Sequence, residues 1–160
     1  MKNLLVVLTI MAFVLAACST GVQDGGNPPQ ENQTEFERNQ EKWQDANISH
    51  YRYKLHLSCF CVFSQDMPLI IEVMDGKVVS MEYQTGNSMD ASSRELFERY
   101  ATIDRIFLEL EADLAGAADE VTIVTFDPTY GFPVEITIDF VKEAIDDELY
   151  LTLSDFEALP

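Results

Sequence analysis

Strict alternation of apolar and polar residues from His50 to Phe63 is the feature that most restricts the fold of this chain. Side chains point alternately to the two faces of a β-strand, so this pattern predicts a long strand with one buried and one solvated face. Antiparallel sheets tolerate such strands, whereas parallel sheets are covered on both faces. The predicted buried row consists of Tyr51, Tyr53, Leu55, Leu57, Cys59, Cys61 and Phe63.

Two segments carry helix signals. Thr34 and Glu37 form a capping box, which predicts a helix from Glu35 to Ala46. Thr102 is the predicted N-cap of a second helix that ends near Gly116. The apolar residues of this second helix recur at helical spacing: Ile103, Ile106, Phe107, Leu110 and Leu114.

Five further segments show the alternation or the β-branched and aromatic content of strands. They are Leu69 to Val73, Val79 to Tyr83, Glu120 to Phe126, Phe132 to Phe140 and Glu148 to Phe156. Gln84 to Ser93 is predicted to be a loop, followed by a short amphipathic segment from about Arg94 to Tyr100. The element order is α-βββ-α-βββ, which predicts an α+β fold with an antiparallel sheet and helices packed on one face.

The turn between the second and third strands can have two lengths. A two-residue Asp75-Gly76 turn in a regular hairpin would place Ile71 opposite Ser80. A three-residue loop of Met74, Asp75 and Gly76 instead sets apolar residues opposite apolar ones. We therefore expect the three-residue loop, with Gly76 in the left-handed region.

The N-terminal segment has the layout of an export signal. Lys2 precedes an apolar run from Leu4 to about Ala17, which is shorter than the roughly 20 residues that span a bilayer as a helix. The four residues from Leu15 to Cys18 resemble the lipobox of bacterial lipoproteins, in which the cysteine receives a diacylglyceryl group and becomes the new N-terminus. We expect residues 1–17 to be a signal peptide, 18–33 a lipidated cysteine with a flexible tether, and 34–160 a single α+β domain.

Export with a lipid anchor defines the expected location. It is the outer membrane in a Gram-negative host and the outer face of the cytoplasmic membrane otherwise. The covalent diacylglyceryl and acyl lipid on Cys18 is the only prosthetic group expected, and no other cofactor is predicted. The chain has 28 acidic against 10 basic residues, a net charge of −18. Such a surface repels nucleic acid and anionic lipid, so no nucleic-acid partner is expected.

Cys59 and Cys61 form the pair with the clearest chemistry. In an oxidising compartment with Cys18 consumed by lipid, they have only each other as partners. Cα atoms at positions i and i+2 of a strand lie about 6.6 Å apart, near the upper limit for a disulfide. Three interpretations remain open: a local disulfide, which ranks first, a soft-metal or redox pair, and two small buried thiols. A metal site would need further ligands, and His50 and His56 alternate onto the opposite face.

The remaining polar features favour structural interpretations. His50, Arg52, Lys54 and His56 form a basic stripe on the solvated face, which could seat an acidic neighbour. The sequence contains none of the common hydrolase, zinc-protease or phosphate-loop motifs, so catalytic residues are not predicted and an enzyme is not favoured. The acidic run Asp146-Asp147-Glu148 lacks the spacing of a calcium loop, and no metal site is predicted.

Several motifs together resemble a family of bacterial lipoproteins known only as domain of unknown function 6174. They are Trp43 ahead of Ile48-Ser-His-Tyr51-Arg-Tyr53, Cys59-Phe-Cys61, Asp75-Gly76-Lys77-Val78, Thr102-Ile-Asp104-Arg-Ile-Phe107, Phe126-Asp-Pro-Thr-Tyr-Gly131-Phe-Pro133, Ile138-Asp139 and Asp146-Asp-Glu148. The resemblance implies an anchored single domain and carries no assigned activity.

Two functions are favoured by these features, and a third, an enzyme of unrecognised mechanism, would require a concave pocket with convergent polar groups. The first is a non-enzymatic envelope module that binds a protein, a polymer or a small ligand at the sheet face or at the turn containing Asp127, Tyr130, Gly131 and Pro133. The second is thiol-redox or soft-metal handling through Cys59 and Cys61. The sequence does not determine the oligomeric state.

Overall fold

The first helix follows directly from its capping residues. In a computed structural model, which describes residues 34–58, 61–116, 121–139 and 148–160, α1 spans Glu35–Ala46. The Thr34 hydroxyl accepts a hydrogen bond from the Glu37 amide at 3.2 Å, and the Glu37 carboxylate accepts one from the Thr34 amide at 2.8 Å. The predicted capping box and helix bounds are therefore confirmed.

Six strands form one antiparallel sheet with the order β3-β2-β1-β6-β5-β4. The strands are β1 (His50–Ser58), β2 (Leu69–Met74), β3 (Lys77–Tyr83), β4 (Val121–Phe126), β5 (Pro133–Asp139) and β6 (Leu149–Ala158). Two further helices, α2 (Ala91–Glu98) and α3 (Ile103–Gly116), lie in the chain between β3 and β4. The α+β class and the predicted order of the elements are confirmed.

One row of side chains from each central strand forms the core. In β1 the burial alternates as the sequence predicts, with Tyr51, Tyr53, Leu55 and Leu57 almost inaccessible to solvent. These residues pack with apolar side chains of the helices in one continuous cluster. The hydroxyl of Tyr53 donates a hydrogen bond to the carbonyl of Tyr100 at 2.9 Å, so this polar atom is satisfied inside the core.

The first strand is shorter than predicted. It ends at Ser58, and Phe63 lies in a turn rather than in the strand. That turn is held by hydrogen bonds from the amides of Ser64 and Asp66 to upstream carbonyls. Phe63 is nevertheless buried, because its ring packs edge-on against Phe97 of α2 with centroids 4.7 Å apart. The alternation thus predicted the burial of Phe63 correctly and its backbone conformation wrongly.

The turn between β2 and β3 also differs from the prediction. Met74 pairs with Lys77, which leaves a two-residue turn of Asp75 and Gly76, both with positive φ. The register then shifts by one residue, so that Ile71 faces Met81 rather than Ser80. A β-bulge therefore restores the apolar pairing that the longer loop was expected to provide.

The predicted loop after β3 is shorter than the interval from Gln84 to Ser93. Helix α2 already begins at Ala91, because the Asp90 carboxylate accepts hydrogen bonds from the amide and hydroxyl of Ser93 at 2.9 and 2.7 Å. This is an N-cap interaction. It holds the pKa of Asp90 well below its ordinary value, since hydroxyl and amide hydrogen bonds from Ser92 and Ser93 favour the charged form.

Every described residue falls within one compact unit, Asn32–Pro160. The predicted signal peptide (1–17) and tether (18–33) lie outside the described residues, and their boundaries stay predictions. Within residues 34–58, 61–116, 121–139 and 148–160, the helices are too short or too polar to cross a membrane.

Candidate functional site

The predicted binding turn after β4 is held by hydrogen bonds between its own residues. The Asp127 carboxylate accepts hydrogen bonds from the amides of Thr129 and Tyr130 at 2.9 and 2.6 Å. The amide of Gly131 donates to the Asp127 carbonyl at 2.9 Å, and Gly131 takes a φ of +81°. Pro133 is buried at the start of β5. These contacts explain the residue types of the motif without a ligand, and its binding role stays a prediction.

The same turn packs directly against α1. A Cβ added to Gly131 would lie 2.4 Å from the Asn39 carbonyl oxygen, closer than real Cβ atoms come to any neighbour. The ammonium of Lys42 donates a hydrogen bond to the Pro128 carbonyl. The ring of Tyr130 contacts Phe156 of β6 with centroids 5.5 Å apart. The turn therefore joins the first helix to the sheet.

The basic stripe on β1 is largely neutralised by acids on the neighbouring strands. The Arg52 guanidinium lies 2.7 Å from the Glu157 carboxylate, and the Lys54 ammonium lies 2.7 Å from the Asp155 carboxylate. These side chains line a shallow cavity of about 260 Å³ on the sheet. Since each cation already has a carboxylate partner, the stripe presents little net positive charge to an acidic neighbour.

His50 at the start of the stripe is also paired. Its Nε2 lies 3.0 Å from the Glu72 carboxylate, and its Nδ1 lies 3.1 Å from the Pro160 carbonyl oxygen. The hydrogen bond to Glu72 is the main cause that raises the pKa of His50 above 6.5, and the contact with Pro160 adds to it.

Of the two paired cysteines in the prediction, only Cys61 is among the described residues. It is half-buried and packs against the core. Cys59 and the predicted lipidation site Cys18 both lie outside the described residues. In the described part, no three His, Cys, Asp or Glu side chains are close enough together to hold a metal ion.

A second charged surface was not foreseen from the sequence. A groove of about 330 Å³ runs along Gly76–Met81, at the edge strand β3, and is bordered by the two helices α2 and α3. Three cationic side chains line it: Lys77 from β3, Arg94 from α2 and Arg105 from α3. We refer to this surface as the basic groove. All three side chains are exposed.

The cations of the basic groove differ from those of the stripe in their partners. Within the described part of the chain, Lys77, Arg94 and Arg105 form no ion pair, although Glu98 also lines the groove. Arg105 donates instead to the backbone carbonyl of Glu98 at 2.6 Å. The groove therefore gathers three cations and one carboxylate, an excess of positive charge on a protein whose net charge is −18.

Sequence reasoning missed the basic groove because its three cations are separated by 17 and 11 positions and come from three elements. Only the tertiary packing brings them to one surface. The sequence offers one indirect signal. The chain has only 10 basic residues against 28 acidic ones, so each lysine and arginine is a candidate for a specific role.

Comparison with known proteins identifies the family of the chain. No curated protein and no solved structure matches it. The model of a family of unknown function, DUF6174, matches residues 35–158, which includes every helix and strand described above. This match confirms the family indicated by the sequence motifs, while the lipoprotein character stays a prediction, and the chain belongs to DUF6174, a family of unknown function.

Proposed function

We propose that this chain is an exported lipoprotein, held on a membrane of the cell envelope by lipid on Cys18, and that its folded part is a non-enzymatic binding module. The module would present a protein, polymer or small-ligand site just outside the membrane.

The anchor is supported by the order of features at the N-terminus. One cation, an apolar run and the residues Leu15-Ala16-Ala17-Cys18 follow one another as in a lipoprotein signal. Each buried CH₂ of an acyl chain contributes about 0.8 kcal/mol, so several chains together hold a protein on a membrane durably. The polar, Gly- and Pro-rich residues that follow have the composition of a flexible tether.

The basic groove is the single observation that carries the binding role. Cationic side chains from β3, α2 and α3 converge on one concavity and form no ion pair within the described residues. Surface cations stabilise a fold mainly through ion pairs, and none of these three forms one within the described residues, although Arg105 also donates to the Glu98 carbonyl. This arrangement supports a site that recognises a ligand from solution.

Metabolic labelling tests the anchor. A bacterial host that processes lipoproteins would be grown with alkyne-tagged palmitate, and the full-length protein would be isolated and examined for the tag. We expect the wild-type chain to carry the label and Cys18→Ala to lose it. Cys61→Ala serves as the matched control and should keep it. Label that persists in Cys18→Ala would contradict anchoring at this residue.

A second candidate function, thiol-redox or soft-metal handling, rests on Cys59 and Cys61. The support is in the sequence: one residue separates Cys59 from Cys61, and Cys18 is expected to be consumed by lipid, which leaves these two thiols to each other. A disulfide closed over one intervening strand residue is near the upper limit of the usual Cα separation and would be easily reduced. Such a bond suits a redox role better than a purely structural one.

The state of the two cysteines can be measured on unreduced protein. Alkylation of free thiols followed by mass analysis should add no alkyl group at Cys59 or Cys61, and alkylation after reduction should add two. If both react without a reductant, the disulfide interpretation fails. If the bond forms but has a potential below about −300 mV, typical of structural disulfides, the redox role fails instead.

A further inference from the structure

The basic groove has a structural explanation that accounts for only part of it. Edge strands commonly carry a lysine and a bulge, which discourage pairing with a strand of another molecule. Lys77 and the register shift between Glu72 and Val73 fit that role on β3. Arg94 and Arg105 do not belong to the strand, since they come from α2 and α3. Protection of the edge therefore does not explain why two arginines border the same concavity.

We propose that the basic groove binds a small, multiply charged oxyanion, a compact molecule with phosphate or carboxylate groups. Arginine presents a planar fork of donors that matches carboxylate and phosphate oxygens, and lysine adds a mobile point charge. Arg94 and Arg105 would hold the oxyanion from the helix side, and Lys77 would contact it from the strand. This assignment gives the binding module of the proposed function its ligand class.

The size of the groove and the net charge of the protein indicate how large the bound anion can be. A volume of about 330 Å³ is at the small end of pockets for small molecules. Charges more than about 10 Å apart are largely screened at 0.1 M salt, so a compact anion in the groove is affected mainly by its lining, in which three cations outnumber the one carboxylate of Glu98. A long polyanion would extend beyond the groove on a protein with a net charge of −18 and be repelled. The groove therefore favours a small anion over a polyelectrolyte.

Lys77 and Arg94 are the residues to change, because they are exposed and form no ion pair within the described residues. Arg105 is left intact, since its guanidinium also holds the carbonyl of Glu98. The matched control is the double variant Arg52→Gln and Lys54→Gln, which removes the same charge from the stripe, where each cation is paired. Equal melting temperatures of the groove variant and the wild type would verify that the fold is intact.

Calorimetric titration of the full chain in neutral detergent with inorganic pyrophosphate, citrate and long-chain polyphosphate tests the inference. We expect saturable binding of pyrophosphate or citrate, and the better of the two identifies phosphate or carboxylate as the recognised group. Affinity should fall at least about tenfold in Lys77→Gln with Arg94→Gln, remain within about twofold in the control variant, and weaken as salt rises.

Three results would overturn the inference: no binding of either small anion at millimolar concentration, equal loss of affinity in both double variants, or binding of polyphosphate alone. None of these bears on palmitate labelling at Cys18. Failure of the anchor and failure of the anion site are therefore distinguished.

Discussion

The indole N–H of Trp43 donates a hydrogen bond to the carboxylate of Asp104 at 2.9 Å. Trp43 is the one buried residue of α1, and Asp104 lies in the first turn of α3. The Trp43 ring also packs edge-on against Tyr51 of the central strand, with centroids 5.3 Å apart. One side chain thus holds the first helix against both the third helix and the sheet.

Removing the acceptor of this bond should destabilise the domain. Asp104→Ala leaves the buried indole N–H without a partner, which costs about 1–3 kcal/mol. Asp104→Asn is the matched control, because its amide oxygen can still accept the bond and only the charge near the helix N-terminus is lost. Urea unfolding of the two variants measures the difference. Equal stability of the alanine and asparagine variants would show that the hydrogen bond contributes nothing.

The contact between the Asp127–Pro133 turn and α1 predicts that alanine destabilises the fold more at Gly131 than at a glycine with open space around it. Gly131→Ala combines a left-handed backbone with a methyl group 2.4 Å from the Asn39 carbonyl oxygen, and should cost about 2–5 kcal/mol. Gly86→Ala is the control, since Gly86 has a similar φ of +78° and open space around it. It should cost only about 1–2 kcal/mol. Thermal unfolding that ranks the two variants equally would mean that the turn does not press on the helix.

The hydroxyl of Tyr51 is the hydrogen-bond partner of a backbone amide at the start of α3. It accepts a hydrogen bond from the amide of Ile103 at 3.1 Å inside the core. Tyr51→Phe removes this acceptor and keeps the ring, so we expect a loss of about 1–3 kcal/mol, measured by chemical unfolding. A variant as stable as the wild type would contradict this role.

Tyr51 also predicts how stability depends on alkaline pH. Burial raises the pKa of Tyr51 to about 12 from an ordinary value of 10. In the folded state the hydroxyl stays protonated, whereas in the unfolded state it ionises from pH 10. Its contribution is therefore fully present below pH 10 and is lost as the pH rises towards 12. Stability measured from pH 9 to 12 should fall less steeply in Tyr51→Phe; identical slopes would contradict the assignment.

Features set by neighbouring residues can be predicted from the sequence, whereas features that depend on tertiary contacts cannot. The bounds of α1 were predictable, because Thr34 and Glu37 form the cap within four residues of each other. The two-residue turn at Asp75 and Gly76 was not, since the bulge that corrects the register forms only when β2 and β3 pair. Periodicity likewise cannot tell a strand residue from a buried turn residue, which is why Phe63 was assigned to β1.

The candidate site was less predictable than the fold. The pairing of Arg52 with Glu157 and of Lys54 with Asp155 depends on β6 lying beside β1, about a hundred positions later in the chain. The sequence therefore overstated the charge of the stripe. For the same reason it gave no sign of the basic groove, whose cations meet only after α2 and α3 pack beside β3.

His50 provides a test of pH dependence near neutrality. Its hydrogen bond with Glu72 raises its pKa above 6.5, so the folded state retains the proton that the unfolded state loses. The stabilisation is fully present below pH 6.5 and is lost as the pH rises through the raised pKa. NMR titration of the His50 ring should give a pKa above 6.5 that falls in Glu72→Gln. An unchanged titration in that variant would show that Glu72 is not the cause.

The most direct test of the proposed function is the mass of the N-terminal peptide of the mature protein, isolated from a host that processes lipoproteins. Cleavage after Ala17 and lipidation predict a peptide that begins at Cys18 and carries a diacylglyceryl group on its sulfur. A mature protein that still contains residues 1–17, or that begins at an unmodified residue, would contradict the lipoprotein assignment.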